Sequence, residues 1–218
     1  MKVAIRRLPP VDVLVVEGTL HACWLALRMR QAGLDVALVM SGTSPCHEAV
    51  GCLRPWVQTR RLDAVPEQFR AVFAKAARDE GAGPGETHLH SSDLVIGIED
   101  LLLDAGVRLS YTARPAAALM AGGRLAGVVF GGKFGLVAIE AGFVVDASPA
   151  ASVARVAGAA FAPREGEPHV SEVSWTAQVR QAPPLRVALE GFKEFSGTLT
   201  PRGRYAEFVL KIRSDVSG

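Results

Sequence analysis

The run VDVLVV at Val11–Val16 constrains this chain more than any other stretch. Successive side chains of a strand point to opposite faces, so a run apolar at nearly every position suits only a strand covered on both sides. Parallel sheets meet that condition, because crossover helices cover their faces. The residues that follow supply such a crossover. After a turn at Glu17–Thr19 the spacing predicts a helix over Leu20–Gln31, with Gly33 as its left-handed C-terminal residue. Val36–Met40 reads as a second buried strand. Residues 11–40 therefore form a βαβ unit.

A dinucleotide-binding unit of this kind needs G-x-G-x-x-G in its first turn. The glycines permit the tight turn, the approach of backbone to the pyrophosphate and the close helix–strand packing. The six positions here are Glu17, Gly18, Thr19, Leu20, His21 and Ala22. Gly18 falls at a variable position, so Glu17, Thr19 and Ala22 stand where glycines are required. Glu17 brings a carboxylate to the helix N-terminus on which a diphosphate would dock. Met40 ends the second strand, where an acid ordinarily holds the ribose hydroxyls. Glu17 and His21 can be read as an acid–base pair, or Glu17 more simply as a partner of the helix dipole. The fold signal is present and the cofactor signal is altered.

Charge and cysteines narrow the classes. The 24 basic and 22 acidic residues leave a net charge of +2, which points to neither a nucleic-acid nor a membrane-surface partner. Cys23, Cys46 and Cys52 are an odd count without framework spacing, as in a reducing cytoplasm, and no apolar run reaches membrane-spanning length. Cys46, His47 and Cys52 match no common zinc spacing, so no metal is expected and structural or interface roles are preferred. His88 and His90 alternate as strand neighbours do, although a solvated loop is the simpler reading. Arg54, beside Pro55–Trp56, suits either an anionic substrate or ordinary surface. Met1–Pro10 reads as a lead-in stopped by Pro9–Pro10.

Further along, residues 66–78 predict an amphipathic helix with Phe69, Val72, Phe73 and Ala76 on one face. A second helix is expected over 92–105, ended by Gly106, and a strand opens at Val107. Pro115–Met120 and Leu125–Phe130 flank Gly122–Gly123 as a hairpin. Leu136–Ile139 extends it to a meander, and Val144–Ala147 reads as a separate strand returning to the parallel sheet.

The order of a helix, AGVR (105–108), a strand, GGRLAGV (122–128), VVDAS (144–148) and VAGAAF (156–161) resembles the FAD-dependent oxidoreductases. The resemblance is to the branch that carries a VIDATGD…RAGAPF segment, and it spans Val11–Phe161. It implies a Rossmann-like FAD-binding domain with FAD as cofactor. It also implies that a glycine and an acid in the return turn line the flavin's phosphate side. The matching positions after Ser148 are Pro149 and Ala150, and a proline offers no N–H. The positions that match the family's flavin-contacting segments are thus Glu17, Gly18, Thr19, Leu20, His21, Ala22, Met40, Ser148 and Pro149.

From residue 169 onward period-two patterns return, as in YAEFVLKIR at 205–213, where Ala206, Phe208, Leu210 and Ile212 share one face. They resemble the beginning of the family's substrate domain. With the chain ending at Gly218, the expectation is an incomplete second domain that needs a partner chain. The fold class expected is α/β: a Rossmann-like parallel sheet with an inserted antiparallel β-meander and a partial β-rich second domain. The first domain is placed at 1–165, with the insert at about 107–140, and the second at 166–218. No G-x-S-x-G elbow or catalytic-cysteine context supplies a nucleophile. The leading expectation is an accessory subunit of a heteromeric FAD-dependent oxidoreductase, with the FAD held by a partner. The alternatives are a stand-alone FAD-dependent oxidoreductase acting on a small molecule, and a non-redox ligand-binding or regulatory module on the same scaffold.

Overall fold

In the computed structural model, residues 4–50, 55–78 and 82–161 are described in full, and 169–178, 194–202 and 205–214 as backbone strands. The chain divides into two units, residues 1–47 with 95–161 and residues 48–94 with 162–218.

The first unit is built on a seven-stranded sheet. Strand β2 (Val11–Val16) pairs in parallel with β3 (Val36–Val39), which pairs in parallel with β7 (Arg108–Ser110). Helix α1 (Leu20–Gln31) is the crossover between β2 and β3 and packs on both. Its buried residues, Ala22, Cys23, Ala26 and Leu27, form one stripe at helical spacing. Gly33 has φ +89° and turns the chain out of the helix. Across the sheet, Val16, Val39, Val128, Phe130, Ile139 and Val153 belong to a second apolar cluster. Both faces of the parallel strands are therefore covered, which is why Val13–Val16 and Val36–Val39 have no exposed residue.

The longest strand joins the sheet's two parts. β10 (Gly135–Asp146) pairs antiparallel with β9 (Arg124–Gly132) through residues 135–140 and parallel with β2 through residues 141–146. The two separate strands expected at 136–139 and 144–147 are one. Gly142 allows the continuation, because its α-carbon passes Asp12 so closely that an added Cβ would lie 3.1 Å from the Asp12 carbonyl oxygen. Strand β8 (Arg114–Ala121) completes the meander through a two-residue turn at Gly122–Gly123, both with positive φ. The expected lead-in at the N-terminus is also a strand: β1 (Ile5–Arg7) lies parallel to β10 at Leu136–Ala138. Pro9–Pro10 separates it from β2 along the same β10 edge.

In the second unit a small antiparallel sheet has β6 (Glu86–Leu89) between β4 (Trp56–Gln58) and β5 (Ala77–Arg78). The 3₁₀ segment Thr59–Ala64 leads to the helix at Glu67–Ala76, which buries Phe69, Val72, Phe73 and Ala76 as its pattern requires. That helix follows the short His47–Val50 helix and precedes the one at Ser91–Asp104; the three are α2, α3 and α4. Farther on, β13 (Tyr205–Ser214) is central between β11 (His169–Gln178) and β12 (Glu194–Arg202). The period-two segment read from the sequence is therefore paired along both of its edges.

Candidate functional site: the turns at the carboxyl ends of the parallel strands

In an open parallel sheet, ligands bind in the crevice beyond the carboxyl ends of the strands, where the turns carry backbone amides and helix N-termini. Here that region comprises the turn after β2, the loop after β3 and the turn after β10.

Glu17 leaves β2 with φ +88°, a conformation that glycine adopts without cost and a residue with a Cβ does not. Its carboxylate turns back on its own backbone. The Gly18 amide donates to Oε1 at 3.0 Å and the Ser41 hydroxyl to Oε2 at 2.6 Å. Thr19 caps α1, its hydroxyl accepting from the Ala22 amide at 3.2 Å. The cap is thus Thr19, while Glu17 holds the turn and ties it to the start of the next loop. His21 is exposed and makes no bond to Glu17, so the two do not form an acid–base pair. Leu20 is half-buried at the first position of α1, and Ala22 is buried on its packed face.

Met40 is fully buried, and a Cβ added to Gly18 would lie 2.4 Å from its sulfur and 2.6 Å from its Cγ. The thioether is packed directly onto the turn. The loop that follows folds back over it: the Cys46 amide donates to the Gly18 carbonyl at 2.6 Å, and the Thr112 amide donates to the Gly42 carbonyl at 2.9 Å. The Cys23 thiol approaches the same Gly18 carbonyl at 3.8 Å. Cys46 is buried with φ +57°, a structural position. His47 opens the short helix α2, whereas Cys52 and Arg54 lie outside the described residues. Among the described residues no cluster of three or more metal-ligating side chains occurs.

The second turn shows the same self-sufficiency. The Asp146 Oδ1 accepts from the amide and hydroxyl of Ser148 at 3.1 and 2.6 Å, and Oδ2 from the amides of Val153 and Ala154 at 2.8 and 3.1 Å. The Ser148 hydroxyl in turn accepts from the Ser152 amide at 2.7 Å. Burial pushes the Asp146 carboxyl upward, but the Ser148 hydroxyl and the amides of Ala154, Ser148 and Val153 outweigh it and hold the group below its ordinary value. Asp146 thereby caps the short helix α5 (Ser152–Val156) from the end of β10. Pro149 sits in the loop with no amide hydrogen, and Ala151 takes φ +49°. Asp146 was missed as a structural residue in the sequence. Its signal is an acid seven and eight residues ahead of two amides, which only the returning backbone brings together.

A dinucleotide diphosphate placed at these turns would meet the Glu17 carboxylate rather than a free field of amides. The Gly18 and Ala22 amides are already bonded to side chains of the turn, and the Met40 thioether occupies the end of β3. The residues present do not fit that group. His88 and His90 are elsewhere, in the second unit. His88 lies in β6, stacked on Trp56 with ring centroids 5.5 Å apart, and so is not a loop residue. The His90 Nδ1 lies 3.0 Å from an Asp93 carboxylate oxygen.

The sequence model described as FAD dependent oxidoreductase matches residues 12–201. No curated protein matches the sequence. Among solved structures, the chain is similar to OxyS anhydrotetracycline hydroxylase from Streptomyces rimosus, with TM-score 0.65 and 15% identity over 94% of this chain and 46% of that one. It is also similar to a geranylgeranyl bacteriochlorophyll reductase-like protein from Thermoplasma acidophilum (TM-score 0.61, 14% identity, 98% of this chain and 58% of that one). A third likeness is to glycine oxidase from Bacillus cereus (TM-score 0.56, 13% identity, 95% and 73%). At such identities the likeness is one of fold. The chain spans about half the length of the first structures it matches.

Proposed function

This protein belongs to the FAD dependent oxidoreductase family, and from that premise we propose that it is an accessory subunit of a heteromeric flavin-dependent oxidoreductase, its FAD carried by a partner chain. The single observation behind the reading is the first turn. Glu17 accepts from the Gly18 amide and the Ser41 hydroxyl, so the anion cradle of the βαβ unit is satisfied from within. An ionised carboxylate there repels a diphosphate at close range, and the amide that would bind one is engaged. The return turn supports the same reading, because Asp146 and Ser148 take the amides of Ser148, Ser152, Val153 and Ala154. On this reading the redox chemistry belongs to the partner's flavin, and this chain contributes scaffold and contact surface.

The test is flavin content. The chain purified alone, and the chain co-purified with its partner, are denatured and the released flavin is quantified per polypeptide. We expect well below one flavin per chain for the protein alone and a flavin in the complex. A stoichiometric flavin in the isolated chain would overturn the reading.

A further inference from the structure

The first unit carries a cleft of about 320 Å³, and none of its lining residues belongs to the turns described above. Its volume lies at the lower end of the ~300–1,000 Å³ usual for small-molecule sites. The floor is apolar, with Val39, Phe130, Val137 and Ile139 buried at its base and Phe134, 48% exposed, at the side. Two side chains on the lining can ionise, Arg6 and Tyr111. The Tyr111 hydroxyl donates to the Glu99 carboxylate on α4. Burial first, and then that bond and the Glu99 charge, push its ionisation well above the usual range. Tyr111 is neutral, and Arg6 is the single charge on the lining.

The strand register puts that charge where it can act. Arg6 pairs with Val137 and Arg7 with Ala138, and partners in register share a face of the sheet. Arg7 is on the opposite side and is paired with Glu140. Arg6 shares the face of Val137, a cleft residue, and has no ion-pair partner among the described residues. Ala113 also lines the cleft, and a larger side chain at that position would take up its space.

We propose that this cleft is a binding site for a small monocarboxylate with an apolar body, the body lying against Phe130, Ile139 and Phe134 and the carboxylate on the Arg6 guanidinium. The charge complementarity is one-sided, since a cationic ligand finds no anion on the lining and a neutral one leaves Arg6 unused. The proposal does not depend on whether the chain holds a flavin.

Octanoate and 1-octanol are the probes, titrated calorimetrically into the full chain. Octanoate is expected to saturate, with Kd on the order of 10–100 μM, and octanol to bind about tenfold more weakly. Arg6→Gln, at an exposed position that does not carry the fold, should weaken octanoate about tenfold and leave octanol unchanged. Arg6→Glu should abolish octanoate binding. Ala113→Leu, checked by circular dichroism, should block both probes. Absence of saturable octanoate binding, equal octanoate affinity in Arg6→Gln, or undiminished binding of both probes by folded Ala113→Leu would each overturn the assignment.

Discussion

Gly18 is glycine for a packing reason, not the one that the dinucleotide fingerprint supplies. Its φ is not in the left-handed region, so backbone strain does not exclude alanine there; the Met40 sulfur does, at 2.4 Å from the added Cβ. Met40 is fully buried and has little room to move. Gly18→Ala should cost about 1–3 kcal/mol by overpacking. In a Met40→Ala background the same change should cost much less, and a double-mutant cycle in urea reads the coupling directly; additive costs would contradict the contact. Glu17→Gly combined with Thr19→Gly and Ala22→Gly removes the carboxylate and the cap, yet Met40 and Pro149 remain, so the triple variant should still purify without stoichiometric flavin. Asp146 yields a pH prediction. Its folded-state value is lowered, so its stabilisation is present above the unfolded value of 3.8 and is lost as pH falls through the lowered one. Asp146→Asn should cost about 1–2 kcal/mol at pH 7. The gap between wild type and variant, followed by urea unfolding, should narrow as pH falls below 4.

Among the elements, β10 decides the architecture. It commits its first half to an antiparallel neighbour and its second half to a parallel one, so the meander and the parallel sheet share one backbone. The sequence marked both halves as short apolar strands, but nothing local to Glu140–Phe143 says that the strand continues; pairing with β2 settles it. The β9–β10 pair closes on Gly127, where φ is +154° and a Cβ would lie 2.3 Å from the Ile139 carbonyl oxygen and 2.8 Å from the Glu140 α-carbon. Both neighbours are backbone and cannot step aside. Gly127→Val should therefore cost about 3 kcal/mol or more. Gly122→Ala in the hairpin turn, with positive φ and open space around it, should cost only about 1 kcal/mol. Thermal unfolding of the two variants separates strain alone from strain with collision.

For the whole molecule the accessory-subunit proposal makes a prediction about assembly. The register of the C-terminal strands sets Phe208 opposite Trp175 and Leu199, with Leu210 opposite Val173 and Ile212 opposite Phe195. Residues opposite one another share a face, so one face of that three-stranded sheet is rich in apolar residues. Such a face needs a cover, and the proposal assigns it to another polypeptide. Phe208→Asp should weaken assembly or folding by a few kcal/mol. Size-exclusion chromatography with light scattering on the chain and on the co-expressed pair checks this. A stable wild-type monomer that captures no partner would count against the proposal. No helix among the described residues is long and apolar enough to cross a membrane.

The βαβ unit, the helix at α3 and the Gly122–Gly123 hairpin were legible in the sequence because each is specified by neighbours within one period of its own pattern. A fingerprint compares residue types at set spacings, so Glu17, Met40 and Pro149 could be singled out there. What those residues touch was decided by tertiary structure. Glu17 meets Ser41 across 24 positions, Met40 reaches Gly18 across the βαβ crossover, and Asp146 is satisfied only when the chain returns at Val153 and Ala154. The extra strand β1 was hidden for the same reason: IRR has no apolar alternation of its own and becomes a strand because β10 offers it an edge. Local sequence determines which conformations a segment favours. Which donor meets which acceptor depends on the distances at which the folded chain returns to itself, and those distances are not written in any one stretch.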